Sequence, residues 1–407
     1  MNVPRQRRIL YVNHTGCISG AERVLIETVR TLDREHYEPI VACPVHGALT
    51  EELKALGVAT VPLPVVQARF ASRPDRIARS VMALARATRA LHAIVRGFSP
   101  DLIHANSVRA GIMATLARGE RSIPLIWHVH DDLPRHPAST AVRTLFLLSH
   151  NTCALAVSDA TRRRFQGHCP IAKRMFVIHN GIDLSRFCSD QSSHRKAFRE
   201  EIGVGEEEFL VCAVGQICDR KGLLGLINAF ARVHEQLPTM HLVIAGKVVF
   251  EHEAGHLAQL QRAVDEWRIG DRVHFCGEVQ NVPLLLQSSD LMVLNSKEEP
   301  FGLVVVEAMA SRTPVLATRV GGIPEIVHDA ENGWITSPGD VNELASKLVK
   351  LSRSRDELRR AADRALHETC PMFSLDRYKS ELEMLYRRLC SQARSSLRAT
   401  VISFSGR

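Results

Sequence analysis

The chain has 407 residues, which is too long for one ordinary core and favours two domains. Hydrophobic residues make up 45% of the chain and charged residues 24%, and no apolar run is long enough to cross a bilayer, so we exclude an integral membrane protein. The net charge of +8 is uneven, because residues 1–183 carry 24 Lys and Arg against 14 Asp and Glu. The basic residues 1–8 lead into an apolar segment too short for a signal peptide, which predicts a cytoplasmic protein.

Short β-rich segments alternate with helical patterns through the first half of the chain. This alternation predicts repeated βα units and hence a parallel sheet. The predicted strands cover residues 9–12, 38–42, 60–63, 102–104, 125–130, 154–157 and 176–178.

The first βα turn runs from Asn13 to Arg23, contains glycines and opens a helix. Its backbone N–H groups can therefore approach a phosphate, although a plain structural turn explains the same residues. The turn lacks Gly-x-Gly-x-x-Gly, which disfavours a nicotinamide dehydrogenase.

A basic segment at residues 73–91 places Arg76, Arg79, Arg86 and Arg89 broadly on one face of a predicted helix. Such a face is either simply solvated or attracts anionic lipid or a phosphorylated acceptor, which would make the protein a peripheral one at the inner membrane face. Aromatic residues are only 5% of the chain and none interleave with these arginines, so nucleic acid is not an expected partner.

Two histidines close the buried strand at residues 125–130. His130 lies at the strand end, where open α/β sheets bind ligands, and we predict that it faces a ligand. His128 lies one step deeper on the same face, where a core role is the simpler interpretation. A metal site formed with Asp131 lacks a further ligand at a known spacing, and we predict no metal and no cofactor.

The βα pattern lapses into a polar stretch over residues 187–208, and a second series then begins. Its predicted strands cover residues 209–215, 241–246, 273–275, 291–294 and 314–317. The fold class is therefore α/β, with two Rossmann-like doubly wound parallel sheets facing across a cleft.

Two cations, Arg220 and Lys221, follow the first strand of the second series, just before a helical pattern. They can form a solvated charge pair in a loop. Their position at the carboxyl end of a parallel strand favours binding of a diphosphate.

The segment from Glu299 to Ala310 sets two carboxylates, Glu299 and Glu307, eight positions apart around a predicted helix N-terminus at Gly302. A helix N-terminus favours phosphate oxygens, and carboxylates beside an anion are useful when they accept hydrogen bonds from hydroxyls. A ligand with central phosphates and a hydroxylated ring at each end fits, which points to a nucleotide sugar. The glycines at 321 and 322 form either a close approach to this ligand or a structural turn.

Taken in order, these motifs resemble the family 4 retaining glycosyltransferases of the GT-B fold, also described as glycosyl transferases group 1. The resemblance runs over nearly the whole chain and implies an N-terminal domain at 1–187, a nucleotide-sugar domain at 208–372, a helix at 373–390 crossing back to the N-terminal domain, and a loose tail at 391–407. It implies that Glu299 meets the donor sugar and Glu307 the ribose, that Arg220 and Lys221 bind the diphosphate, and that His130 lies by the sugar.

The resemblance also implies which residues surround the donor. The expected donor-binding set is Gly20, Phe301, Gly302, Leu303, Val304, Glu307 and Val279, the last of these beside the base. Many family members have Arg where this chain has Gln216, so Arg220 and Lys221 would carry the cationic load. No Asp-x-Asp motif is present, in keeping with a leaving diphosphate neutralised by cations and a helix terminus.

The expected activity is transfer of a hexose from a nucleoside-diphosphate sugar, with UDP or GDP as the nucleotide, to a saccharide or lipid-linked hydroxyl in polysaccharide, glycolipid or other glycoconjugate synthesis. We expect retention by front-face attack. Two alternatives stay open: an inactive donor-binding subunit of an assembly, and an epimerase or phosphorylase built on the same double sheet.

Overall fold

A computed structural model describes residues 5–66, 74–119, 122–133, 136–250 and 253–404, with only the backbone described for 74–77 and 392–404. The chain divides into two compact units. The N-terminal unit combines residues up to Asn180 with those from Asp376 onward, and the C-terminal unit covers Gly181–Leu375. Sequence analysis places the boundary after residue 187, a few residues later.

The N-terminal unit is built on a parallel sheet in which seven strands have the order β3-β2-β1-β4-β5-β6-β7. The strands are β1 (Arg7–Val12), β2 (Tyr37–Cys43), β3 (Ala59–Pro62), β4 (Leu102–Ala105), β5 (Leu125–Val129), β6 (Thr152–Ala156) and β7 (Met175–Val177). The central strands β1, β4 and β5 are mostly apolar because helices cover both faces of the sheet. Their side chains are almost all buried.

Helices connect these strands and complete the unit. They are α1 (Gly20–Thr31), α2 (Ala48–Ala55), α3 (Pro74–Phe98), α4 (Val108–Arg118), α5 (Pro137–Leu148), α6 (Asp159–Gln166) and α15 (Leu375–Phe404). Helix α15 packs on this unit through buried tyrosines, since Tyr378 Oη lies 3.0 Å from Thr28 Oγ1 of α1. The backbone of residues 391–404, where sequence analysis expects a loose tail, continues α15 as helix.

The C-terminal unit has a second parallel sheet, with six strands in the order β10-β9-β8-β11-β12-β13. The strands are β8 (Phe209–Val214), β9 (Met240–Ala245), β10 (Val273–Gly277), β11 (Leu291–Leu294), β12 (Val315–Thr318) and β13 (Trp334–Thr336). The order reverses next to β8, so the loops after β8 and β11 lie side by side at the edge where such sheets bind ligands.

Helices cover both faces of this sheet as well. They are α7 (Leu184–Cys188), α8 (Ser192–Glu201), α9 (Leu223–Val233), α10 (Ala254–Trp267), α11 (Val282–Ser288), α12 (Leu303–Ala310), α13 (Val341–Ser352) and α14 (Arg355–Arg364). The polar stretch at 187–208 is thus largely helical. Arg199 explains why α8 stays attached: its buried guanidinium donates to the Ser288 carbonyl at 2.7 Å and the Gly205 carbonyl at 2.8 Å.

The prediction of two doubly wound parallel sheets is confirmed. Every predicted strand is present, with bounds that differ by one or two residues. Sequence analysis missed β13, a three-residue strand at the edge of its sheet, because so short a run carries too little periodicity to stand out.

Candidate active site

The loop after β8 carries the predicted diphosphate-binding cations. Residues Asp219–Lys221 form a single 3₁₀ turn that leads directly into α9. Lys221 Nζ donates to Glu299 Oε2 at 2.6 Å, and Arg220 Nη1 donates to the Glu298 carbonyl at 3.3 Å. The structure therefore brings both cations to the segment that carries the first predicted carboxylate.

Glu299 is held in a buried position. Its side chain is 11% exposed and that of Lys221 is 14% exposed. Ser296 Oγ also lies 3.4 Å from Glu299 Oε2, a contact that sequence analysis did not anticipate. Because Lys221 and Ser296 both contact Oε2, the other carboxylate oxygen, Oε1, can accept hydrogen bonds from a ligand.

The backbone around Glu299 depends on two glycines with positive φ. Gly302, at φ +108°, ends the loop and caps α12, which begins at Leu303. Gly321, at φ +51°, lies so close to the loop that a Cβ there would be 1.9 Å from the Glu299 carbonyl oxygen. The neighbouring Gly322 N–H donates to that same oxygen at 3.0 Å. The glycine pair is thus a close backbone crossing that fixes Glu299.

The other residues predicted around α12 have different exposures. Leu303 and Val304 are half-buried in its first turn, and Glu307 is half-buried one turn later. Phe301 is 3% exposed and packs edge-on against Phe373, with ring centroids 5.7 Å apart. The ring of Phe301 therefore belongs to the core, and its backbone is the part that can meet a ligand.

A small pocket lies at the carboxyl ends of β8, β9 and β11. Its lining includes Gly215, Gln216, Lys221 and Asn295. Gln216 Nε2 donates to Glu253 Oε2 at 2.5 Å, so this side chain is held by a carboxylate. Asn295, which sequence analysis did not single out, donates through Nδ2 to the Gly222 carbonyl at 2.8 Å and joins the two loops.

Val279 lies in the loop after β10, at the carboxyl edge of the same sheet. Its loop leaves β10 through Gly277, whose carbonyl accepts from Gly246 N at 2.7 Å in the loop after β9. Val279 is half-buried, and the adjacent Glu278 forms a 2.5 Å ion pair with Lys247. The predicted base-binding loop and the predicted diphosphate loop therefore follow strands of one sheet edge.

The remaining predicted residues, Gly20 and His130, belong to the N-terminal unit. Gly20 is exposed and begins α1, directly after the first βα turn. His130 follows β5, and its Nε2 lies 3.1 Å from Asn106 Oδ1 of the loop after β4. Asn106 Nδ2 donates to Asn13 Oδ1 at 3.1 Å, so polar side chains link three neighbouring strand ends.

Burial controls the protonation of these side chains. It lowers the pKa of His130 to about 3, so the imidazole is neutral at physiological pH. Burial and the nearby Arg109 cation lower the pKa of His14, in the first βα turn, to about 4. Burial raises the pKa of Glu22, whose carboxylate accepts from Ser19 N at 3.1 Å and Asn13 Nδ2 at 3.3 Å. The two histidines of the strand-end cluster therefore carry no charge at physiological pH.

Comparison with known proteins identifies the family. The model for Glycosyltransferase Family 4 matches residues 18–186, and the model for Glycosyl transferases group 1 matches residues 194–367. The chain belongs to glycosyltransferase family 4. It is a glycosyltransferase, and the matches support a nucleotide sugar as its donor.

Named relatives of this family 4 chain include two bacterial enzymes and one protein of known structure. It is 30% identical over 293 residues to N-acetyl-alpha-D-glucosaminyl L-malate synthase of Bacillus anthracis, covering 70% of this chain and 74% of the relative. It is 29% identical over 302 residues to D-inositol 3-phosphate glycosyltransferase of Mycolicibacterium paratuberculosis, covering 71% and 67%. The Anabaena protein HepE, solved with UDP and glucose, is 25% identical with a TM-score of 0.80 and covers 94% of this chain and 100% of that one. These matches confirm the GT-B fold.

Within the described ranges, no three His, Cys, Asp or Glu side chains are grouped so that they could hold a metal ion. No helix in the described part of the chain combines the length and apolarity needed to cross a bilayer.

Proposed function

We propose that this chain is a retaining hexosyltransferase that moves a sugar from a UDP-sugar to a hydroxyl of an anionic or lipid-linked acceptor. The observation that carries the proposal is the 2.6 Å pair of Lys221 and Glu299 beside the start of α12. It places a cation for phosphate, a carboxylate for sugar hydroxyls and a helix N-terminus within one loop cluster.

Each predicted residue then has a role that suits its position. Lys221 and Arg220 bind the diphosphate, together with backbone N–H groups at Leu303 and Val304. Glu299 accepts hydrogen bonds from sugar hydroxyls. Glu307, one turn further along α12, accepts from the ribose hydroxyls, and Val279 borders the base. Gly20 and His130, which belong to the N-terminal unit, are further proposed donor contacts.

The reaction breaks the bond between the anomeric carbon and the β-phosphate oxygen, and the electron pair leaves with the phosphate. The acceptor hydroxyl attacks the face from which the diphosphate departs, and its proton passes to the leaving phosphate oxygen. Negative charge therefore grows on the β-phosphate, where Arg220 and Lys221 stabilise it. Removing one such preorganised donor typically raises the barrier by about 3 kcal/mol.

The nucleotide can be tested by thermal stabilisation. HepE was solved with UDP-glucose as well as with UDP and glucose, which favours UDP over GDP in this chain. A ligand at one hundred times its Kd adds about 2.7 kcal/mol of apparent stability. We expect UDP to raise the Tm of the wild type more than GDP, ADP or CMP, and expect Arg220→Ala to abolish most of the UDP effect. A larger response to GDP would change the proposed donor.

The reaction class needs a separate assay. We expect the isolated chain to release UDP from UDP-glucose in the presence of an acceptor, with an α-linked product by NMR. Donor binding without any product would favour the inactive subunit. A 2-epimer formed without acceptor, or a requirement for inorganic phosphate, would favour the epimerase or the phosphorylase. A β-linked product would refute retention.

An anionic acceptor, in a pathway that builds a glycoconjugate or polysaccharide, is supported by charge. Residues 1–183 have 24 Lys and Arg against 14 Asp and Glu, a difference of +10, and both named relatives carry an anionic compound in their names. The same surplus supports peripheral contact of this cytoplasmic protein with the inner membrane face. Helix α3 is the part of the unit best suited to that contact.

The exposed face of α3 is basic and partly apolar. Val81 is 59% exposed and Met82 is 55% exposed, and no Asp or Glu occurs from residue 76 to residue 98. The exposed arginines are Arg79, Arg86, Arg89 and Arg96, while the side chain of Arg76 lies outside the described residues. Cations flanking exposed apolar side chains are typical of helices that lie on anionic lipid.

Vesicle sedimentation tests this surface. We expect the protein to sediment with vesicles that contain anionic phosphatidylglycerol and not with neutral phosphatidylcholine vesicles. Arg86→Glu with Arg89→Glu should release it. The control pair Arg163→Glu with Arg164→Glu changes the net charge equally on the exposed surface of α6, and should release much less. Equal release by both pairs would show that overall charge, and not α3, holds the protein to the membrane.

A further inference from the structure

A chain of buried hydrogen bonds connects α15 with the interior of the N-terminal sheet. Tyr11 Oη lies 3.1 Å from Tyr386 Oη, and Tyr386 Oη lies 2.6 Å from His104 Nδ1. His104 Nε2 lies 3.0 Å from His128 Nδ1. All four side chains are 0–1% exposed. The chain thus starts on β1 and α15 and ends on β5.

The hydrogen bonds along this series of side chains all depend on which ring nitrogen of His104 carries its proton. Burial lowers the pKa of His104 to about 3 and raises those of both tyrosines, so each member is neutral and has one hydrogen to donate. A neutral imidazole has one N–H and one unprotonated nitrogen, so His104 donates to one of its two neighbours and accepts from the other. The far end, His128 Nε2, has no hydrogen-bond partner among the described residues.

His128 ends this chain against the ring of His130. The two ring centroids are 3.8 Å apart. On its other side, His130 Nε2 meets Asn106 Oδ1, while Asn106 Nδ2 donates to Asn13 Oδ1 and the Ala21 carbonyl. That pattern leaves Asn106 Oδ1 as an acceptor, so His130 carries its proton on Nε2 and keeps Nδ1 as an acceptor.

We propose that Tyr386, His104 and His128 are positioning residues for His130, so that the seating of α15 on the N-terminal sheet sets the orientation of this imidazole. The three residues do not touch the donor themselves. The ring of His128 supports one side of His130, and its own orientation is fixed through His104 by the Tyr386 hydroxyl. This inference rests on the proposed role of His130 beside the donor sugar.

The chain offers a matched pair of variants on α15. Tyr386→Phe removes the hydroxyl that contacts His104, and Tyr378→Phe removes one that contacts Thr28 at 3.0 Å, away from the histidines. Both tyrosines are 0–1% exposed. We expect Tm to decrease in both variants, and to decrease more in Tyr386→Phe because its hydroxyl contacts both Tyr11 and His104. We expect kcat for UDP release from UDP-glucose to fall about tenfold in Tyr386→Phe only, with KM within twofold of the wild type.

Imidazole ¹⁵N spectra give a readout that needs no substrate. We expect His130 to show a single tautomer with the proton on Nε2 in the wild type and in Tyr378→Phe. We expect a mixture of tautomers, or broadened signals, in Tyr386→Phe. If Tyr386→Phe fails to fold, His128→Ala and His128→Phe replace it. Both lose the bond to His104, but only Phe keeps a ring against His130, so kcat should recover in Phe relative to Ala.

The outcomes separate this inference from the proposed function. The positioning role would be overturned if Tyr386→Phe and Tyr378→Phe had equal kcat and equal His130 spectra. It would also be overturned if His128→Ala and His128→Phe had equal kcat. In both cases the proposed role of His130 would stand as long as His130→Ala is inactive. Wild-type turnover by His130→Ala would instead overturn the role of His130 itself, and with it the inference.

Discussion

Replacing Lys221 with Ala should damage both stability and catalysis, because we assign two functions to the Lys221 ammonium. In the free protein it neutralises Glu299 at 2.6 Å, with both side chains less than 15% exposed. Removing one partner of a buried ion pair costs about 3–5 kcal/mol. Because water and Ser296 still reach the carboxylate, we expect a loss of about 2–3 kcal/mol, or about 5–10 °C in Tm for a unit of this size.

The catalytic effect should be separable from the loss of stability. We expect kcat/KM for the UDP-sugar to fall about 10²–10³-fold in Lys221→Ala, since the proposed second function of the cation is to stabilise the leaving diphosphate. Adding Glu299→Gln removes the carboxylate that needs a counter-ion, so the double variant should regain stability without regaining activity. Stability follows from thermal melts, and turnover follows from UDP release.

Lys297→Ala is the matched control. Lys297 forms an ion pair of the same length, 2.6 Å, with Asp219 in the adjoining loop, but its side chain is 57% exposed and that of Asp219 is 77% exposed. Exposed pairs contribute about 0–1 kcal/mol. If Lys221→Ala and Lys297→Ala had equal Tm and equal kcat/KM, the assignment of Lys221 would be refuted.

Three further predictions follow from local geometry. Gly321→Ala should prevent correct folding of the Glu299 loop, since the new Cβ would lie 1.9 Å from the Glu299 carbonyl oxygen. The control is Gly339→Ala, at φ +78° with open space around it, which should cost only about 1–2 kcal/mol by thermal melt. Similar losses of stability in the two variants would contradict the close backbone crossing at Gly321. Gln216→Arg should tighten UDP binding about tenfold in calorimetry once Glu253→Gln removes the competing carboxylate, and no gain in the double variant would exclude a phosphate at this position. The buried histidines of the N-terminal unit, whose pKa values burial lowers to about 3–4 from 6.5, contribute stability that is complete above pH 6.5 and is lost as the pH falls toward 4. Each should cost about 1.4 kcal/mol at pH 5.5, opposed by the raised pKa of Glu22, and equal urea midpoints at pH 7.5 and 5.5 would contradict this.

The sequence predicts the fold well because both sheets are parallel and buried. Strands such as β5 and β11 are short apolar runs bounded by polar turns, and their alternation with helical patterns leaves few other topologies. The polar stretch at 187–208 was harder to interpret. Its helix α8 is anchored by the buried Arg199, and a guanidinium satisfied by distant carbonyls leaves no local signal.

The sequence predicts those parts of the candidate site in which a charged residue comes soon after the end of a strand. Lys221 and Glu299 follow strand ends, and the structure places them in contact. The sequence did not indicate Ser296, which contacts Glu299 within the same loop, or Asn295, which donates to the Gly222 carbonyl 73 positions earlier in the chain. The prediction that Phe301 contacts the donor stays a prediction, and it now concerns the backbone of this residue. Its ring packs edge-on against Phe373 in the core, which cannot be read from spacing.

The N-terminal unit is discontinuous in sequence, and this affects how the chain can fold during synthesis. The contact between the Tyr11 and Tyr386 hydroxyls joins residues 375 positions apart, whereas every strand of the C-terminal unit lies within Gly181–Leu375. Domains usually fold as units while the ribosome is still extending the chain. Here all of the C-terminal unit is synthesised before α15, which the N-terminal unit needs for its own completion. The C-terminal unit is therefore expected to finish folding first, although it is translated second.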